Sequence, residues 1–254
     1  MNFPEGTVSV HLANRLARIE FYHPASNSFP TALLDALKTA IDDLSKNPQV
    51  TTVILQSQGE GAFCAGASFD ELLSITDTDA GAAFFSGFAG VVNAMRKSKQ
   101  IFIGRIHGKA VGGGVGLAAA CDYCFATAQS AIKLSELAIG IGPFVIEPAV
   151  SKKIGKNAFT ALSLAAHEWK SAAWAFQHGL YDEVCENAEE LDQKVAAFAQ
   201  RVSEYNPEAL VEMKQIFWEG TEHWDSLLSA RAAISGKLVL SDFTKAALSQ
   251  FKKK

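Results

Sequence analysis

The sequence predicts an α/β fold with a largely parallel sheet and a helical C-terminal third, on three observations. Residues 16–56 read strand, helix, strand, a connection that favours parallel neighbours. The apolar run 101–106 reads as a buried strand that feeds the glycines Gly112, Gly113 and Gly114 and then an apolar helix at 117–120. Beyond residue 146 the chain is almost wholly of helical period.

Each element has its own local reason. Residues 8–11 and 16–21, separated by Ala13-Asn14-Arg15, read as a hairpin, with Asn14 suited to positive φ. His23-Pro24-Ala25-Ser26-Asn27-Ser28 is a loop, and Pro30 suits the first position of a helix. Leu33, Leu34, Leu37, Ile41 and Leu44 carry that helix until Asn47-Pro48 stops it. A strand over 52–56 leads into the glycine-bearing loop 59–67, at the strand end where open α/β sheets place ligands. Residues 70–73 look helical, and 76–79 are polar and read as mobile.

From 81 to 95 an apolar stripe of Phe84, Phe85, Phe88, Val91, Val92 and Met95 has helical spacing, which most often marks core packing. A strand follows at 122–126. Helices are predicted at 146–154, 157–165, 171–177, 188–203, 207–218 and 225–238, with a short strand at 181–185. Repeats, long linkers and low-complexity runs are missing from the sequence.

Bulk properties narrow the function. A chain of 254 residues, 48% hydrophobic, can bury a sizeable core in one domain. Its net charge of -4 is spread without blocks, which argues against nucleic acid as a partner. The Lys252-Lys253-Lys254 end reads as a solvated tail. No apolar run reaches the ~18 to 20 residues that span a bilayer. The N-terminal stretch with Glu5, His11, Arg15 and Arg18 lacks a signal-peptide core, so a cytoplasmic protein is expected. Cys64, Cys121, Cys124 and Cys185 do not form a disulfide framework. Cys121 and Cys124 have the gap of half a zinc site without a second pair, so they read as reduced core thiols and no metal is expected.

The chemistry concentrates at residues 106–122 and Glu136. Three glycines make physical sense where the backbone turns sharply or lets a ligand touch it. The helix that follows offers unpaired N–H groups and a positive dipole end to an anion or a developing oxyanion. A carboxylate, Glu136, lies a short strand beyond.

Gly108, Ala110, Gly112-Gly113-Gly114, Cys121-Asp122 and Ser135-Glu136, preceded by Ala62-Phe63-Cys64-Ala65-Gly66-Ala67, resemble the crotonase family of enoyl-coenzyme A hydratases and isomerases over nearly the whole chain. The resemblance implies a crotonase spiral of repeated ββα units over 1–195, with a helical region at 196–254 that builds a homotrimer or a dimer of trimers. It implies that the segment 81–95 also walls a pocket. It implies an oxyanion hole from the amides of Ala67 and Gly113, and Glu136 as a catalytic carboxylate. Ala65, Gly66 and Ala67 would contact coenzyme A, with Asn27 from the loop before the first helix. The acyl-CoA thioester is then the substrate, and no cofactor stays bound.

Departures from the family pattern refine the expectation. Hydratases carry a second Glu two residues after the glycine triplet, where this chain has Gly116. Dienoyl isomerases carry an acid there as well, and another at the position of Phe144. One carboxylate with an oxyanion hole suits a Δ3,Δ2-enoyl-CoA isomerase, and Pro143-Phe144 also resembles that branch. Hydration is the alternative. Glu71 and Glu147 are the other candidate carboxylates and read as solvated helix residues, while His107 and His167 read as packing or surface residues. The loop at 23–27 is one residue shorter than the family's and lacks its common Lys, and Ser68 replaces a common Asp. Two further classes stay open: a G-x-G-x-x-A dinucleotide fingerprint at 114–119, weakened by the residues between strand and glycines, and a non-catalytic acyl-CoA-binding scaffold.

Overall fold

The structure, a computed structural model, describes residues 6–251. Glu5 and the Lys252-Lys253-Lys254 tail lie outside the described residues. Strands β1 (Thr7–Ala13) and β2 (Leu16–Tyr22) form the expected hairpin, with Asn14 at φ 55° in its turn. Helix α1 (Thr31–Ser45) buries Leu33, Leu34, Leu37, Ile41 and Leu44. Strand β3 (Thr52–Ser57) is buried at every residue, which its run of apolar side chains allows in a sheet covered on both faces.

Helices α2 (Phe69–Ser74) and α3 (Thr78–Lys97) follow. Thr78 and Asp79, within the polar stretch 76–79, begin α3, and the Asp77 side chain accepts from the Ala80 amide at 2.8 Å and caps it. Strand β4 (Ile101–Ile106) leads through a two-residue strand β5 (Ala110–Val111) into α4 (Gly113–Ala120). That helix starts inside the glycine run, four residues earlier than the apolar period indicates. Strands β6 (Tyr123–Thr127) and β7 (Ile132–Lys133) precede a 3-10 turn at Leu137–Ile139.

The two helices expected at 146–154 and 157–165 are both present within Glu147–Leu164, taken together as α5, and are parted at Gly155, whose φ of 75° and ψ of 158° no helix adopts. Helix α6 (Ala172–Gln177), strand β8 (Glu183–Cys185) and helices α7 (Ala188–Glu204), α8 (Pro207–Phe217), α9 (Trp224–Leu238) and α10 (Asp242–Phe251) complete the chain.

The main sheet has the order β1-β2-β3-β4-β6-β8, parallel except for the hairpin. A second ladder is built from very short pieces: Phe29 beside Ala67, Cys64 beside Ala110, β5 beside β7, and Ile132 beside Lys170. Successive turns of chain give one strand to the main sheet, a short segment to the ladder and then a helix. This is the expected ββα spiral, with the helical region following it. The ladder sets the site, because it holds the 64–67 loop against the entry to α4.

Candidate active site

The loop 64–67 and the glycine turn are fixed to each other by backbone bonds. The Val111 amide donates to Cys64 O at 2.9 Å and the Cys64 amide donates to Lys109 O at 3.3 Å. A Cβ on Gly66 would stand 2.9 Å from Val111 O and 3.4 Å from Gly113 N, and Gly66 has φ 86°. Only glycine gives both the left-handed turn and this approach.

Two amides are left free there. Phe29 N–H donates to Gly66 O at 2.8 Å and Ser68 N–H donates to Phe29 O at 3.0 Å, so the Ala67 amide between them is turned the other way. Gly113 is the first residue of α4, where an amide has no partner within the helix. Neither amide finds an acceptor among the described residues. Both residues line one pocket with Ala65, Gly66 and Glu136.

Glu136 precedes the 3-10 turn, and its backbone oxygen accepts from Ile139 N at 3.2 Å and Ile141 N at 3.0 Å. Its carboxylate abuts the glycine turn, since a Cβ on Gly112 would sit 2.7 Å from Oε1. Oε2 is sealed from solvent and has no hydrogen-bond partner in the described structure. Desolvation in these apolar surroundings pushes the carboxyl up to about 7, with its own backbone amide opposing in part. A base poised near neutral pH is suited to proton transfer.

Of the lining residues, Glu136 alone carries a charge. Phe85 and Phe88 line the pocket, whereas Phe84 does not. A Cβ on Gly116 would collide with Ile146, itself a lining residue, so an isoleucine covers the position where a second carboxylate would emerge.

Other expected residues fall elsewhere. Asn27 does not line the pocket. It is 4% exposed, its Nδ2 donates to Gln58 O at 3.0 Å and Ala62 O at 2.9 Å, and its Oδ1 accepts from His23 N at 2.9 Å. With φ 55° it shapes the loop whose Ser26 O receives the Ala65 amide at 3.1 Å, so it positions the 62–66 segment. Glu147 is not solvated: it is 8% exposed, accepts from Ser151 Oγ at 2.8 Å and Lys156 Nζ at 2.5 Å, and lies 3.6 Å from Arg231. Glu71 is half-buried and holds the N-terminus of α1 through the Thr31 amide at 2.7 Å and the Thr31 hydroxyl.

His107 is half-buried with both ring nitrogens unpartnered, and His167 is exposed; neither lines the pocket. All four cysteines are free and buried, and burial pushes Cys64 up to about 12. Ser235 of α9, which no motif marks, lines the pocket as well. It arrives there because α3 and α9 cross backbone to backbone at Gly81 and Gly236, where a Cβ on Gly81 would lie 2.6 Å from Gly236 O.

The family model for enoyl-CoA hydratase/isomerase matches residues 12–252. The chain belongs to that family. It is 29% identical over 194 residues to human mitochondrial methylglutaconyl-CoA hydratase, covering 74% of this chain and only 55% of that protein. To the peroxisomal Delta(3,5)-Delta(2,4)-dienoyl-CoA isomerase of Arabidopsis thaliana it is 29% identical over 198 residues, 72% of this chain and 69% of that one. Among solved structures, a putative enoyl-CoA hydratase from Mycobacterium avium paratuberculosis K-10 superposes with a TM-score of 0.87 at 26% identity, covering 97% and 96% of the two chains. The enoyl-CoA hydratase of Bacillus halodurans shares the fold with a TM-score of 0.89 at 23% identity, covering 96% and 99%. The crotonase fold expected from the motifs is therefore the fold of this chain. Among the described residues no helix is long and apolar enough to cross a membrane.

Proposed function

We propose that this enzyme moves the double bond of a 3-enoyl-CoA to the 2-position, with Glu136 as its single base. The thioester oxygen accepts hydrogen bonds from the Ala67 and Gly113 amides, which stabilises the enolate formed when Glu136 takes a proton from C2. Glu136 then returns that proton to C4 as the double bond settles between C2 and C3, so atoms and charge balance without another reactant. The backbone of Ala65, Gly66 and Ala67 also receives the nucleotide end of coenzyme A.

The observation that carries this reading is the apolar cover over Gly116: with Ile146 there, Glu136 is the pocket's one carboxylate. Adding water across a 2-enoyl double bond asks for a second group to hold and activate the water. Hydration remains the second reading, favoured by the likeness to methylglutaconyl-CoA hydratase. Assembly into homotrimers or pairs of trimers is proposed too, with the exposed Met213, Ile216 and Phe217 at the α8 end of the chain as apolar surface for it.

Incubation with a 3-enoyl-CoA and, separately, a 2-enoyl-CoA distinguishes the readings. The expected result is conversion of the 3-enoyl thioester at unchanged mass, lost in Glu136→Gln. Addition of one water to the 2-enoyl thioester would replace isomerisation by hydration. Binding of thioesters without turnover of either would point to a scaffold.

A further inference from the structure

Ser235 is 1% exposed, lines the pocket, and its hydroxyl has no hydrogen-bond partner among the described residues. Ser249 closes its hydroxyl on Lys245 O at 2.7 Å and Ser226 on His223 O at 3.0 Å, while Ser163 of α5 also leaves its hydroxyl without a partner but away from the pocket. A buried hydroxyl with no partner costs about 1 to 3 kcal/mol, so one kept open on a ligand pocket points to a group that a ligand brings.

Its place along the pocket follows from α3. Phe88 lies against Gly113, whose Cβ would collide with its ring, and Gly81, two turns earlier, touches Gly236 beside Ser235. At 1.5 Å per residue Gly81 and Phe88 lie roughly 10 Å apart along α3, so Ser235, beside Gly236, is offset along the helix from the Gly113 amide. Phe85 lies between Gly81 and Phe88 on that helix and lines the pocket too, so under the proposed seating of the thioester at Gly113 an acyl chain reaches Ser235 with its distal part. With no cation in the lining, a distal carboxylate would be buried unpaired, which is far more costly than burying a neutral oxygen.

We infer that the acyl groups this enzyme prefers carry a neutral hydrogen-bonding oxygen, a hydroxyl or a carbonyl, at the distal position facing Ser235. The inference rests on the acyl-CoA reading above. Binding, which needs no turnover, tests it: saturated acyl-CoA thioesters of several lengths, each ending in a methyl, a primary hydroxyl or a carboxylate, are titrated calorimetrically into wild-type protein and Ser235→Ala. At the fitting length the hydroxyl chain should bind the wild type ~5- to 10-fold more tightly than the methyl chain, a ratio that falls to about one in Ser235→Ala. The methyl chain should bind both proteins alike.

A wild type that never prefers the hydroxyl, a preference that survives Ser235→Ala, or a preference for the carboxylate would each overturn the inference while leaving the acyl-CoA reading intact. Failure of every thioester to bind would overturn both.

Discussion

The two ends of helix α4 are finished in opposite ways. At the N-terminal end the Gly113 amide is open, the neighbouring Ala67 amide is open, and Glu136 keeps one oxygen buried without a partner. At the C-terminal end every oxygen of Asp122 is occupied. Oδ2 accepts from Lys214 Nζ at 2.6 Å and Phe102 N at 2.8 Å, Oδ1 accepts from Trp218 Nε1 at 2.8 Å, and the backbone oxygen takes Lys153 Nζ at 3.0 Å. The side chains of Lys214 and Asp122 are each 3% exposed, and burial lowers the Lys214 ammonium against the opposing pull of Asp122. Of the two ends of this helix, only the one at the pocket carries unmet polar groups, and the satisfied end anchors the helix that presents them. An unsatisfied buried group acquires meaning when it shares a pocket with others.

The largest effect should come from the open end and be chemical. Glu136→Gln keeps the shape and removes the base, so turnover of the 3-enoyl thioester should fall by ~10² to 10⁴. Binding of a saturated thioester should persist, as calorimetry can check. A variant that keeps its rate would move the base elsewhere and end the proposed assignment. At the closed end the effect should be structural. Lys214→Met leaves Asp122 buried without its cation and should cost about 3 to 5 kcal/mol of stability, read from urea unfolding. Activity per folded molecule should stay unchanged at temperatures where the variant is folded.

Much of the open end is legible in the sequence because its requirements are local. Gly66 and the Gly112-Gly113-Gly114 run mark backbone turns that side chains would block, and Asn14 marks a hairpin by the same reasoning. The closed end is invisible in the sequence because its partners come from far apart: Asp122, Phe102, Lys214 and Trp218 meet only after α8 folds back onto β4. The same distance hides Ile146 over Gly116, Ser235 in the pocket, and the ladder strands β5 and β7, too short for any period to show. Glu147, read as solvated, fails as a sequence reading for a related reason. A carboxylate on a helix reads as solvated until the structure brings Lys156 and Arg231 to it.

The open end also sets a pH dependence. A carboxyl held at about 7 in the folded chain, against 4.5 for an unperturbed glutamate, binds its proton more tightly in the fold. Its penalty on stability is therefore absent well below pH 4.5, grows as pH rises toward 7, and is constant above. The full penalty is on the order of 3 kcal/mol. Urea midpoints of wild type and Glu136→Gln should be close at about pH 4.5, provided both are folded there, and should separate in favour of the variant by about pH 8. Over the same window kcat/KM of the wild type should rise and level off above about pH 7 as the base loses its proton.

The smallest effect belongs to the closed end and sharpens the comparison most. Trp218→Phe removes one donor from Asp122 while Lys214 and Phe102 N still hold Oδ2. The loss should be about 1.5 to 3 kcal/mol, the worth of a hydrogen bond to a charged group, with part of the ring's packing on Trp224 retained. Because α4 is buried along its length, Val115, Leu117, Ala118 and Ala119 included, close packing offers a route for a small shift at its C-terminus to reach Gly113. The pinned glycine turn argues otherwise: Gly112 N–H donates to Lys133 O at 2.9 Å and Val111 N–H to Cys64 O at 2.9 Å, which fixes the N-terminus independently of Asp122. Trp218→Phe should therefore lower the urea midpoint and leave kcat and KM where they were, and a change in kcat would show that the two ends of the helix act as one device.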